Sequence, residues 1–333
     1  MTRREFMSMS AATVAASAMP AFAAERKTDE MRAALLHFGV NMWQKGERID
    51  EIEFDEQVWR RLTGRMADKG FNTVLIDLGE ALNYPSHPEL AVKGGWDPDR
   101  FRKELDRLRA LGLEPLPKLN FSCGHNAWLG PYRRMVSTRR YYELVRDLVK
   151  DVAEIFDTPR LFHIGYDEED TGNQRTFKMC IVRQGELWWH DLLDLVGEIE
   201  KNGMRAWMWS DYAWHHPDFL KRCPKSILQC NWYYRQWFDF NDSTFPKNRH
   251  IHLKTFRDLE EAGFDQIVCG SNWATDENMV PLVKYARGVV APERLKGFMM
   301  ATWEYSIPKG EAKLVRGIDQ LAEGLGKYPA KGV

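Results

Sequence analysis

Four consecutive carboxylates, Asp167-Glu168-Glu169-Asp170, follow directly on the apolar run Leu161-Phe162-His163-Ile164-Gly165-Tyr166. Carboxylates gathered this closely transfer protons, bind hydroxyls or stabilise developing positive charge. They cannot all sit in a core, because a buried carboxylate without a partner is strongly destabilising. Some of them must line a solvated cleft. The plain alternative is a solvated loop, or the cap of a following helix. What decides between the two is whether the rest of the chain brings further chemistry to the same place.

The elements that must position these acids are legible as an alternation of strand-like and helix-like segments. Strands are predicted over residues 35–43, 72–79, 114–120, 160–166, 205–211, 226–232, 266–272 and 297–303, most of them apolar without alternation, as in parallel sheets covered on both faces. Amphipathic helices are predicted over 54–69, 98–111, 138–155, 184–202, 217–222, 252–262, 276–288 and 313–325. Gly70, Gly112, Gly203 and Gly263 stand as helix stops, and Pro98 opens the second helix. The strand at 114–120 carries two prolines and reads as the least regular. This rhythm predicts a single (β/α)8 TIM barrel over residues 25–333. An open doubly wound sheet is the rival, but no Gly-x-Gly-x-x-Gly follows the first strand and no Gly-x-x-x-x-Gly-Lys occurs.

In such a barrel the carboxyl ends of all strands share one mouth. The predicted ends supply Asn41 and Trp43, Asp77 and Glu80, Asn120, Cys123 and His125, Asp167 and Glu168, and Trp209 and Asp211. They continue with Gln229, Asn231 and Trp232, then Asn272 and Trp273, then Trp303 and Glu304. Acids and tryptophans around one pocket suit carbohydrate, the acids for proton transfer and hydroxyl bonding and the flat aromatic faces for sugar rings. Core filling is the plain reading of the 13 tryptophans. Their position at strand ends favours a cleft wall.

Composition narrows the classes further. The formal net charge is −1 over 333 residues, so there is no global basic field and nucleic acid is not an expected partner. Five scattered cysteines without a Cys-x-x-Cys pair make a disulfide framework or a structural zinc site improbable. Neither a metal nor a cofactor is expected. Thr2-Arg3-Arg4-Glu5-Phe6-Met7, a weakly apolar run and Ala21-Phe22-Ala23 look like a twin-arginine export signal over residues 1–24, cut after Ala23 or Ala24. A periplasmic, envelope or secreted location follows as the expectation. No other stretch approaches the roughly 20 apolar residues of a membrane-spanning helix. Oligomeric state is not readable.

His163-Ile164-Gly165-Tyr166-Asp167-Glu168 is similar to the His-x-Gly-x-Asp-Glu signature of the family 20 glycoside hydrolases, the β-N-acetylhexosaminidases. That signature belongs at the end of the fourth barrel strand, where it falls here. Pro117 through Gly124-His125 resembles the third-strand segment, and Trp209, Trp232 and Trp303 fall at strands five, six and eight, where the family builds its acetamide pocket. The resemblance implies an oligosaccharide or glycoconjugate substrate and retaining, substrate-assisted hydrolysis of β-linked amino sugars. It implies Glu168 as general acid/base and Asp167 as the carboxylate that orients the 2-acetamido group. Departures accompany it. Gly39-Val40-Asn41-Met42-Trp43 has no counterpart of the family's first-strand arginine, Asn272-Trp273 stands where a tyrosine is usual, and Trp303 and Glu304 are adjacent rather than one apart. The family's preceding α/β domain is also missing.

The remaining candidates for substrate contact are Asn41, Asp77, His125, His163, Asp211 and Glu304, with the three tryptophans. His163 lies inside the strand and also reads as a structural residue, whereas His125 beside Gly124 reads as a loop residue of the pocket. Asp211 continues the Trp207 and Trp209 face by strand alternation. Glu169 and Asp170 read as rim charges, and His215-His216 as solvated loop residues. Two alternatives stay open. One is a two-carboxylate glycosidase whose nucleophile is Asp77, Glu80, Asp211 or Glu304, and the other a barrel that binds sugars without cleaving them.

Overall fold

The computed structural model describes residues 30–39 and 47–330. The predicted signal segment at 1–24, Asn41 and Trp43 lie outside the described residues. Eight parallel strands close into a barrel in sequential order. They are β1 (Met31–His37), β2 (Thr73–Asp77), β3 (Glu114–Lys118), β4 (Leu161–His163), β5 (Arg205–Trp209), β6 (Leu228–Cys230), β7 (Gln266–Gly270) and β8 (Leu295–Ala301). The helices between them are α1 (Glu56–Asp68), α2 (Pro98–Ala110), α3 (Arg139–Phe156), α4 (Glu186–Lys201), α5 (Phe219–Arg222), α6 (His250–Glu261) and α7 (Met279–Val289), and α8 (Pro308–Lys327) follows β8. This is the predicted TIM barrel.

Helix boundaries follow capping chemistry. The Asp55 carboxylate accepts from the Val58 N–H at 2.9 Å, and Asp97 accepts from Arg100 with Pro98 at the first helical position. The four glycines read as stops all carry φ between 76° and 80°, the left-handed conformation that ends a helix.

Strand alternation sorts the side chains into two cores. Outward residues such as Val74, Ile76, Phe162, Ile164, Ala206, Met208, Phe298 and Met300 meet the helices. Inward residues, among them Ala33, Leu35, Leu75, Leu116, Leu161, Trp207, Leu228, Ile267 and Met299, fill the barrel. Each large aliphatic side chain buried in this way contributes about 1.5–3 kcal/mol. The inward layer nearest the mouth is polar. His37, Asp77, Lys118 and His163 are register neighbours across β1 to β4, and all four are buried.

The prolines of β3 have a specific consequence. The Glu114 N–H donates to Asn72 O beside β2, so the even-numbered amides of β3 face β2 and the odd-numbered ones face β4. Pro115 and Pro117 have no N–H to donate there, and the β3–β4 register shrinks to Lys118 beside His163, with Leu119 N donating to His163 O. The predicted irregularity is confined to that one seam. The first strand runs Met31–His37, earlier than the predicted 35–43. Its inward Ala33 is too weakly apolar to register in a hydropathy reading, but it suits the narrow barrel interior. Among the described residues no helix is long and apolar enough to cross a membrane.

Candidate active site

β4 ends at His163, and the chain then turns through a strained segment that presents the acids. The Ile164 N–H still donates to Trp207 O at 2.8 Å, after which Gly165, Tyr166 and Glu168 take φ of 70°, 71° and 53°. A Cβ on Gly165 would lie 2.1 Å from Asn120 Oδ1, so only glycine fits. Left-handed non-glycine residues cost about 1 kcal/mol or more each and persist where their surroundings fix them. Here the surroundings are explicit. Arg183 donates to the Tyr166 hydroxyl at 2.7 Å and lies 4.3 Å over its ring, Ser122 Oγ donates to Asp167 O at 2.5 Å, and the Glu168 N–H donates to Asp211 Oδ2 at 2.8 Å.

The two central acids converge on one imidazole. His125 Nε2 lies 3.2 Å from Glu168 Oε2 and 3.6 Å from Asp167 Oδ2. Asp167 is buried and accepts from Asn120 Nδ2 at 2.9 Å, whereas the Glu168 side chain is 33% exposed and faces the cavity. Burial opposes a charged His125, but the charge of Asp167 and the hydrogen bond and charge of Glu168 outweigh it and raise the imidazole to about 9. Burial, followed by the charge of Asp167, pushes the Asp211 carboxyl well above the usual carboxylate range, toward its protonated form.

A cavity of about 440 Å³ opens beside the doublet. His125, Asp167 and Glu168 form one wall; Trp209, Trp232 and Trp303 are further lining residues. The Trp209 and Trp303 rings sit 5.9 Å apart, and Trp232 stacks on Tyr234 at 4.8 Å. The predicted gathering of doublet, histidine and three tryptophans is therefore present. His125, Asp167 and Glu168 could also hold a cation, their donor atoms lying within 4.8 Å of one another. An imidazole titrating at about 9 is protonated at neutral pH and so is a poor ligand there.

Four predicted substrate contacts are placed elsewhere. Asp77 does not line the cavity; it lies in the polar layer below, 2.6 Å from the Lys118 ammonium and 3.3 Å from His37. Burial opposes its charge, but Lys118 and His37 prevail and hold its carboxyl down at about 2. His163 is in the same layer, with Nδ1 accepting from the Gly165 N–H at 3.0 Å and its ring edge-on to Trp207 and Trp209. Burial and the nearby Lys118 keep His163 well below the ordinary histidine value, hence neutral. Asp211 sits behind the doublet as the acceptor for Glu168 N–H. Glu304 turns away to Lys313 at 3.1 Å: with Met299 and Ala301 inward on β8, alternation sends the Trp303 side chain to the cavity and Glu304 to the opposite face.

Glu169 is also corrected. It is not a rim charge: its side chain is 1% exposed and meets the buried Arg183 guanidinium at 2.6 Å. Asp170 does stay exposed, where it accepts from the Asn173 N–H.

The reading of strand ends missed most of one sector. Tyr233, Tyr234, Arg235, Arg249 and His252 line the cavity from the segment between β6 and the first turn of α6, and Phe177 and Asn173 line it from the segment after β4. Trp273, noted only as a strand end, lines it and is 56% exposed. The available signal was the unbroken run Trp232-Tyr233-Tyr234-Arg235 directly after a strand.

No protein-family model matches the sequence, and no curated protein matches it. Solved structures do match the fold. A β-N-acetylhexosaminidase from Bacteroides fragilis superposes with a TM-score of 0.59 at 12% identity, over 87% of this chain and 65% of that one. A chitobiase from Flavobacterium johnsoniae gives 0.62 at 16% identity, over 89% of this chain and 48% of that one. Dispersin B gives 0.57 at 13% identity, over 88% of this chain and 99% of its own. This chain thus spans about two thirds of the first and about half of the second. At these identities the likeness is one of fold.

Proposed function

We propose that the protein is a retaining glycoside hydrolase that removes terminal β-linked 2-acetamido sugars with the help of the substrate's own acetamide. The observation that carries this reading is the convergence of Asp167 and Glu168 on His125 at the wall of a tryptophan-lined cavity. The hexosaminidase and chitobiase names of the similar folds support the choice of substrate.

In this mechanism Glu168, the more exposed acid, gives its proton to the glycosidic oxygen as the bond to the anomeric carbon breaks. Asp167, buried and fixed by Asn120, accepts from the acetamide N–H and so aims its carbonyl oxygen at the anomeric carbon. The resulting cyclic intermediate is opened by a water that returns its proton to Glu168, and the configuration is retained. Protonated His125 compensates the charge of Asp167 and, once its proton has been given up, that of Glu168, and the indoles of Trp209, Trp232 and Trp303 exclude water around the sugar.

A two-carboxylate mechanism is disfavoured by the placements of Asp77, held under the cavity by Lys118, and Glu304, turned toward Lys313. The test is turnover of a nitrophenyl N-acetyl-β-glucosaminide and the matching β-glucoside by the wild type and Glu168→Gln. Cleavage of the amino sugar alone, reduced about 10²–10⁴-fold in the variant, is expected. Equal turnover by the variant, or preference for the plain glucoside, would refute the proposal.

A further inference from the structure

The cavity is electrostatically two-sided, and its second side has no counter-charge of its own. The acids come from the β3 and β4 sector of the rim. Arg235 and Arg249 line the same cavity from the segment between β6 and α6. Neither guanidinium has an ion pair with a carboxylate among the described residues. The chain treats its buried guanidinium differently: Arg183 meets Glu169 at 2.6 Å, Asp191 at 3.6 Å and the Tyr166 hydroxyl at 2.7 Å, whereas Arg235 and Arg249 are half-buried. The two guanidinium charges act on the same neighbours. Both depress Tyr233, whose burial raises it, and both add to the burial that lowers the adjacent His252 to about 3. His252 is therefore neutral, and the residual charge of this wall is that of the two arginines. Arg249 immediately precedes His250, where the 12-residue α6 begins, so the positive end of that helix adds to the same wall. Like charges lining one cavity, without a carboxylate partner among the described residues, complement a ligand that brings the anion.

Building on the hydrolase reading, we propose that the favoured substrate carries an anionic group, a sulfate ester, phosphate ester or carboxylate, on the amino sugar or the sugar next to it, and that Arg235 and Arg249 receive it. The stacked faces of Trp232 and Tyr234 lie in the same segment and offer a sugar ring a flat surface beside that charge.

Two measurements separate this proposal from the hydrolase reading. In the first, kcat/KM is compared for four substrates: the neutral nitrophenyl N-acetyl-β-glucosaminide, its 6-O-sulfate, its 6-O-phosphate, and an N-acetyl-β-glucosaminyl disaccharide ending in a uronate. At least one anionic arm is expected to exceed the neutral one by about tenfold, a preference that shrinks as salt rises from about 50 to about 500 mM. The anionic-to-neutral ratio should fall toward one in the double variant Arg235→Gln, Arg249→Gln and be partly kept in Arg235→Lys, Arg249→Lys. In the second, calorimetry measures wild-type binding of the free 6-sulfated, 6-phosphorylated and uronate-bearing sugars against neutral N-acetylglucosamine. If no glycoside of any charge is cleaved, the hydrolase reading fails, and calorimetry still decides the anion site. Equal or weaker binding of all three anionic sugars, or a ratio unchanged in the glutamine variant, overturns the proposal.

Discussion

Replacing His125 by glutamine should change how stability depends on pH more than any other single substitution at the site. The imidazole is raised from the ordinary 6.5 to about 9 because it is held 3.2 Å from Glu168 and 3.6 Å from Asp167. Each tenfold gain in proton affinity is worth about 1.4 kcal/mol, so the charged imidazole adds about 3 kcal/mol at most. The sign follows from the direction of the shift. The folded state binds the proton more tightly than the unfolded chain, so the contribution is complete below 6.5 and is lost as pH climbs through about 9. Near pH 7 about 2.5 kcal/mol remains, and near pH 10 almost none. Urea unfolding of wild type and His125→Gln at steps between about pH 6 and pH 10 reads this directly, since a change of midpoint at constant slope is a change of stability. The gap between the two proteins should narrow by about 3 kcal/mol over that range. A gap that stays constant, or widens toward alkaline pH, would refute the charged-imidazole reasoning.

The polar layer under the cavity makes a second stability prediction. Asp77→Ala removes the partner of the buried Lys118 ammonium, 2.6 Å away, and should destabilise the barrel by about 3–5 kcal/mol by chemical denaturation. A loss under about 1 kcal/mol would mean that water or another group already solvates that ammonium. Gly165→Ala tests the turn itself. Its Cβ would displace Asn120, whose amide holds Asp167, and it would carry φ 70°, so the expected result is a lowered thermal midpoint together with lost turnover of the acetamido substrate. Unchanged kinetics in a stable Gly165→Ala protein would contradict the role given to Asn120.

The barrel was legible because its signals are local. Apolar strand runs, amphipathic helix runs, the proline that opens the second helix and the glycine stops each act within a few residues, and the structure reproduces their order. The acidic doublet was legible as well, since the apolar run predicted to end at Tyr166 stops at the acids, although the strand itself ends at His163. What escaped depends on partners far along the chain. Glu169 is buried because Arg183 comes back fourteen residues later, and Asp77 is internal because Lys118 stands beside it in register. Glu304 leaves the pocket because alternation from the inward Met299 and Ala301 gives the cavity side to Trp303 and the other side to its neighbour, where Lys313 meets it. The β6 to α6 segment escaped for another reason. No hydrophobic period governs its path, so the placement of Tyr234, Arg235 and Arg249 on the cavity wall is set by tertiary packing alone.

The strain at the end of β4 and the proposed chemistry are two views of one constraint. In an extended chain successive side chains point to opposite faces, so neighbouring acids cannot both reach one imidazole. Asp167 and Glu168 nevertheless both approach His125 Nε2, and the residues on either side of Asp167, namely Tyr166 and Glu168, are the ones in the left-handed region. The turn converts a sequence doublet into a spatial one. Its conformational cost is offset by groups that face no substrate: Arg183 on Tyr166, Ser122 on the Asp167 carbonyl and Asp211 on the Glu168 amide. Asp211, read from the sequence as a sugar contact, serves here as a fixture of the turn. Burial and the charge of Asp167 push Asp211 toward its protonated form, so the turn adds no second anion behind Asp167, the carboxylate that must act as one.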